Sequence, residues 1–174
     1  MSVLIYLISS LPMLHFGQRP PITFEKFIAL CKDKVNDGEL LALERTGEIE
    51  GFSCPGLSLK KWHAFDTALR NELVKLRAVR HKLEPTKYLR PDSSYVEPQI
   101  THTALNAQRS PSLMEGEKIL DLARWQKLEE LSFGHYFDLD VLFIYAQKLL
   151  ILERWEKIRS AKPETILKET LSAS

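Results

Sequence analysis

The longest apolar pattern in the chain runs from Phe133 to Ile158, FGHYFDLDVLFIYAQKLLILERWEKI. Pro and Gly are absent from residues 138–161, so the run predicts one long helix. Asp138 has the chemistry of an N-cap, and Asp140 in the first turn suits the positive end of the helix dipole. The apolar positions cover most of the circumference and leave one narrow polar stripe, Asp140, Gln147 and Arg154, at heptad spacing. A helix of this kind is covered by neighbours on several sides, so the pattern predicts the buried C-terminal helix of a bundle. At about 30 Å it has the length to cross a bilayer. Gln147, Lys148, Glu153 and Arg154 nevertheless break it into apolar runs far short of the roughly 20 residues that a span needs.

Helical periodicity recurs upstream. Ile22 to Lys34 predicts an amphipathic helix with Thr23 as N-cap and Phe24, Phe27, Ile28 and Cys31 as its stripe. Asn36 to Gly38 reads as a break, Glu39 to Arg45 as a short helix, and Gly51 to Gly56 as a loop. Ser58 is the expected cap of a helix to about Leu83. Its stripe, Leu59, Trp62, Phe65, Leu69, Leu73, Leu76 and Val79, follows steps of three and four residues. Val96 to Gln108 predicts a weaker helix, broken by Ser110 and Pro111. Ser112 and Glu115 fit a capping box that opens a helix to about Leu131, with Leu113, Ile119, Leu120, Ala123, Leu128 and Leu131 on its apolar side. Pro163 opens a last short helix to Leu171.

Ser2 to Leu11 is apolar throughout, and periodicity alone leaves a short buried strand and a short buried helix both open. The fold class is therefore all-α, a multi-helix bundle with a buried C-terminal helix and one short N-terminal strand as the open exception. The expected organisation is a single helical domain over 1–174. A small N-terminal lobe, 20–56, packed on a main bundle, 58–174, is its natural subdivision.

Composition narrows the classes. With 174 residues, 44% apolar and 27% charged, the chain can build a sizeable core. A net charge of +1 gives no general case for nucleic acid or an acidic membrane. Two cysteines, Cys31 and Cys54, do not make a disulfide framework, which points to a reducing cytoplasm. The apolar start lacks the basic region of a signal peptide and is stopped by Pro12, so no transmembrane segment is expected.

The chain carries few residues in a catalytic or ligand-binding pattern. Phosphate-binding glycine loops and dinucleotide fingerprints are absent. His15, His63, His81, His102 and His135 stand singly, away from metal-ligand spacing, and read as surface or capped histidines. Cys31 falls on an apolar face and reads as core, whereas Cys54 carries no reactive signature. Glu115, Glu117, Glu129 and Glu130 read as exposed helix charges. The expectation is a protein without catalytic residues, cofactor or metal. One feature stands out from this background. Between Lys60 and Arg90 nine Lys or Arg face three acids, with Lys75, Arg77, Arg80, Lys82, Lys87 and Arg90 clustered at the end. A solvated face, docking on an acidic protein and binding to nucleic acid all remain open, although Tyr88 is the lone aromatic nearby able to stack on a base.

The stretch LDLARWQKLEELSFGHYFDLDVLFIYAQKLLILERW, with the opening YLISSLPML, resembles a bacterial family of uncharacterised proteins associated with V-type (A/V-type) ATPase operons. The closing AQKLLILERW is also similar to the end of the C/d component of V-type ATPases. There a terminal helix carries a Tyr, leucines and a Glu-Arg pair, here matched by Tyr145, Leu149, Leu150, Glu153 and Arg154. The C/d component is an all-helical socket between the central stalk and the membrane rotor ring, and this chain is much shorter. The resemblance implies a non-catalytic subunit, cytoplasmic and peripheral on the inner membrane, with central-stalk and membrane-ring subunits as partners. It would link stalk to ring in ATP-coupled ion transport. Lys75, Arg77, Arg80 and Arg154 are the expected interface residues. For Arg154, a charge on a buried helix, a structural ion pair is the competing reading. The other functional readings are a cytoplasmic adaptor or assembly factor and a nucleic-acid binder using the 60–90 face.

Overall fold

The computed structural model describes residues 2–47, 57–91 and 97–161. The loop with Cys54, the start of the Val96 helix and the expected helix from Pro163 lie outside those residues. Among them the fold is all-α, with no strand. The helices are α1 (Ser2–Ser10), α2 (Phe24–Cys31), α3 (Asp37–Glu44), α4 (Leu57–His81), α5 (Pro98–Arg109), α6 (Leu113–Ser132) and α7 (Leu139–Ser160). Short 3-10 turns follow at Arg45–Gly47 and Pro85–Tyr88.

Local chemistry accounts for most of the boundaries. The Thr23 hydroxyl accepts from Lys26 N–H, the Ser112 hydroxyl from Glu115 N–H and the Asp138 carboxylate from Val141 N–H, each at 3.2 Å. These are the expected N-caps of α2, α6 and α7. Asn36–Gly38, expected as a break, instead starts α3 with a complete capping box between Asn36 and Glu39. Ser58, expected as a cap, lies inside the first turn of α4 and turns its hydroxyl to a distant carboxylate. α4 ends before Leu83, at His81. Lys82 takes a left-handed φ of 55°, Lys82 N–H bonds to Val79 C=O and Leu83 N–H to Ala78 C=O. That pair of bonds closes the helix as a Schellman motif, ahead of Pro85. The N-terminal segment is a helix and not a strand, and it is not a buried one. Leu7 is its fully buried residue, whereas Val3, Ile5 and Tyr6 are exposed.

The chain divides into two compact units, one of residues 1–47 and 145–174, the other of 48–144, with the second boundary inside α7. In the first unit the N-terminal segments are fastened to α7 by side chains that reach backbone. Tyr145 donates to Pro12 C=O at 2.9 Å, and Gln147 to the buried Thr46 C=O at 2.6 Å. Glu153 accepts from Phe24 N–H at 2.6 Å, and Arg159 donates to the Gly17 and Gln18 carbonyls. Phe27 packs against the Tyr145 ring at 5.2 Å between centroids.

In the second unit α4, α5 and α6 pack pairwise on one another. Leu59, Trp62, Phe65 and Leu69 of α4 are buried, as are Ile100 and Ala104 of α5 and Leu120, Trp125 and Leu128 of α6. Gly116 marks the closest crossing of α5 and α6. A Cβ there would stand 2.7 Å from Ala107 C=O, so the backbones approach only because the side chain is absent. The buried side of α6 also carries Asp121, Arg124 and Lys127, where the sequence pattern placed only apolar residues. Leu113, expected on that side, is 78% exposed.

Candidate interaction site

The apolar stripe of α4 outruns its packing. Leu73 and Leu76 are half-buried, and Val79 is 76% exposed. Beside them, the end of α5, the turn at Ser110–Ser112 and the start of α6 enclose a half-open recess of about 350 Å³. Leu73, Leu76, Leu113 and Leu120 supply apolar wall, and Gly116 leaves its part of the lining without a side chain. Arg77, Arg80 and His81 line the α4 side, and Glu117 lines the α6 side. Helical spacing puts Leu73, Leu76, Arg77 and Arg80 on one ridge.

The expected interface residues separate here. Arg77 and Arg80 are exposed at this recess and make no hydrogen bond or ion pair with any described residue. Lys75 is exposed but held by Glu72 at 2.6 Å. Arg154 belongs to the other unit, at an exposed position of α7 with an interaction of its own. Its stripe-mates are absorbed locally, Gln147 by Thr46 and Asp140 by the Ser58 hydroxyl at 2.9 Å.

Charge inside the unit is spent on structure. Arg124 of α6 donates to Asp66 of α4 at 2.8 Å and to Asp121 at 2.9 Å, and Arg70 donates to Asp66 at 2.7 Å. Burial pushes the Asp66 carboxyl up. The facing Arg124 and Arg70 guanidiniums outweigh it and hold the group below the usual carboxylate range. Arg124 is held above its ordinary value in the same way, its carboxylate partners overcoming burial. Lys127 pairs with Glu97 at 2.7 Å and lies 5.7 Å from the centre of the Phe65 ring.

A second cluster was invisible to spacing arguments. His135 Nε2 lies 3.2 Å from Ser58 Oγ, and His135 Nδ1 lies 2.5 Å from Asp138 Oδ2. Hydroxyl, imidazole and carboxylate follow the order of a nucleophilic triad. However, Ser58 is only 5% exposed, and its hydroxyl donates to Asp140 Oδ2, a carboxylate and a charged acceptor. A serine proton directed to a second carboxylate is not being taken by the imidazole. The cluster instead latches the start of α4 to the turn between α6 and α7, where Gly134 at φ +87° allows the reversal. The sequence signal was three polar residues, His135, Asp138 and Asp140, within one turn region. Ser58 joins them only through the fold.

Burial raises the Cys31 thiol to about 11 against the opposing Lys34 charge, so it is unreactive core. Burial lowers His63, with Asp66 opposing. Among the described residues no group of three His, Cys, Asp or Glu is placed to hold a metal ion. Residues 50–173 match DUF2764, a family described as protein of unknown function. The chain belongs to this family. The match takes in all of α4–α7, and with them both the recess and the buried charges of this DUF2764 protein. No curated protein matches the chain, and no solved structure does.

Proposed function

We propose that this DUF2764 protein is a non-catalytic helical subunit of a bacterial V-type ATPase that docks on the central-stalk or membrane-ring subunits. The complex is suggested by the resemblance of the YLISSLPML and LDLARW…LLILERW stretches. The observation that carries a docking role is the pair of unengaged arginines, Arg77 and Arg80, beside an incompletely covered apolar stripe. A partner there gains apolar burial and charge pairing at one place. Among the described residues no helix is long and apolar enough to cross a membrane, which fits a peripheral place on the complex. The nucleic-acid reading weakens, because Arg70 and Lys75 are engaged by Asp66 and Glu72. Affinity purification of the tagged protein from gently solubilised host membranes, with quantitative mass spectrometry, tests the proposal. Near-stoichiometric recovery of catalytic, stalk and ring subunits is expected. Recovery of the protein without ATPase subunits at low salt would reject it.

A further inference from the structure

We infer that the recess between α4, α5 and α6 receives an acidic amphipathic helix of a partner protein. An apolar side chain of that helix enters between Leu73, Leu76, Leu113 and Leu120, and its carboxylates meet Arg77 and Arg80. The inference rests on the docking reading above in taking the partner to be a protein.

Three observations choose this occupant. The recess, about 350 Å³, lies at the small end of ligand-site volumes, roughly 300–1,000 Å³, and suits side chains better than an extended cofactor. Its α4 side carries the cations Arg77 and Arg80 against the single acid Glu117, so charge complementarity calls for an acidic partner. The positions on α4 follow helical steps. Leu73, Leu76 and Arg80 form a ridge of the kind that packs into the groove of a crossing helix.

The arginine pair also sets the recognition pattern. Guanidinium forks at i and i+3 bind carboxylates bidentately and hold direction better than lysines do. The partner helix should therefore present two acids one turn apart, with Leu or a similar residue between them on the same face.

The test uses the purified full-length protein and a fluorescein-labelled helical peptide with Leu and Glu at three- and four-residue spacing. Fluorescence anisotropy should show saturable binding that weakens at high salt. Arg77→Glu/Arg80→Glu should weaken it roughly tenfold or more, and Leu113→Ser severalfold. All three positions are exposed, so the variants should keep their circular dichroism and melting temperature. Absence of saturable binding, or binding unchanged by the double charge reversal, overturns the inference. So does equal binding of the same peptide with Lys in place of Glu, or a single-stranded DNA oligonucleotide that binds tighter and is lost with the same reversal. Co-purification from the host separates the two claims. ATPase subunits retained by the charge-reversed protein would overturn the recess and leave the ATPase reading standing. Charge-dependent peptide binding with no ATPase recovered would support the recess and reject that reading.

Discussion

The two units hold themselves together by different chemistry. In the first, α7 side chains from Tyr145 to Arg159 reach backbone groups of the N-terminal segments, at Pro12, Gly17, Gln18, Phe24 and Thr46. In the second, three longer helices meet through apolar faces and through ion pairs between side chains, with Arg124 between Asp66 and Asp121 at the centre. The difference follows from element length. Short helices and turns leave many backbone N–H and C=O groups unpaired, and something must satisfy them when they are covered. Long helices satisfy most of their own backbone groups, so Arg124, buried among them, is met by side chains, whereas the buried Asn71 reaches the backbone of Arg90 in the segment after α4.

The contrast breaks most visibly at Arg124. Arg124→Met should lower unfolding free energy by about 3 kcal/mol or more, because Asp66 and Asp121 stay buried after losing their shared cation. Urea denaturation measures it. Replacing Asp66, Asp121 and Arg124 together with apolar residues of similar volume should come out near neutral. The pH profile sharpens the point. The Asp66 carboxyl lies below its unfolded value of 3.8, so the unfolded chain binds more protons there. Its contribution is present above about pH 4 and is lost as pH falls through the folded value. Asp66→Asn should remove that acid-side slope.

Gly116→Ala tests the close crossing of α5 and α6. The added methyl meets the Ser110 hydroxyl at 2.9 Å and, closer still, the Ala107 backbone carbonyl, which cannot swing away, so a loss of about 1–3 kcal/mol is expected by denaturation, although Ala is the better helix former. In the first unit, Gln147→Leu strips the buried Thr46 carbonyl of its donor and should cost about 1–2 kcal/mol. Tyr145→Phe, which leaves the less buried Pro12 carbonyl to find water, should cost about 1 kcal/mol. Tyr145 also carries a pH signature of the opposite sense to Asp66. Burial pushes its phenol up to about 12 from 10.0, so the native state keeps a proton that the unfolded chain loses. Stability should fall as pH rises from 10 towards 12, and Tyr145→Phe should flatten that limb in thermal melts.

Whatever depends on near neighbours was legible in the sequence. The caps at Thr23, Ser112 and Asp138, the breaks at Ser110 and Pro111, and the all-helical class all follow from local spacing. What failed depended on partners far along the chain. Asp121, Arg124 and Lys127 fall outside the apolar side that spacing assigned to α6, and Asp66, which makes Arg124 buriable, lies 58 residues away. Ser58 looked like a cap for the same reason, with Asp140 and His135 unseen. Asn36 and Glu39 are the exception. The capping box was local and readable, but Gly38 beside them suggested a break. At the recess, the cationic cluster could be read from composition. The recess beside it could not, because its other walls come from α5 and α6, whereas the Lys75–Glu72 pair is local, three residues apart on one helix.

Arg77→Glu/Arg80→Glu should move stability least, by no more than about 0.5 kcal/mol, since neither side chain pairs with a described residue. That small effect is informative only beside Arg124→Met. Both variants remove an arginine from the same three-helix unit. One guanidinium is enclosed by carboxylates that need it, and the other two face solvent at an apolar recess. If urea midpoints shift for Arg124→Met and not for the double reversal, the interior charges hold the unit together and the rim charges are left for something outside it. If the double reversal unfolds the protein as Arg124→Met does, Arg77 and Arg80 are structural, and the recess is only the frayed end of a helix packing.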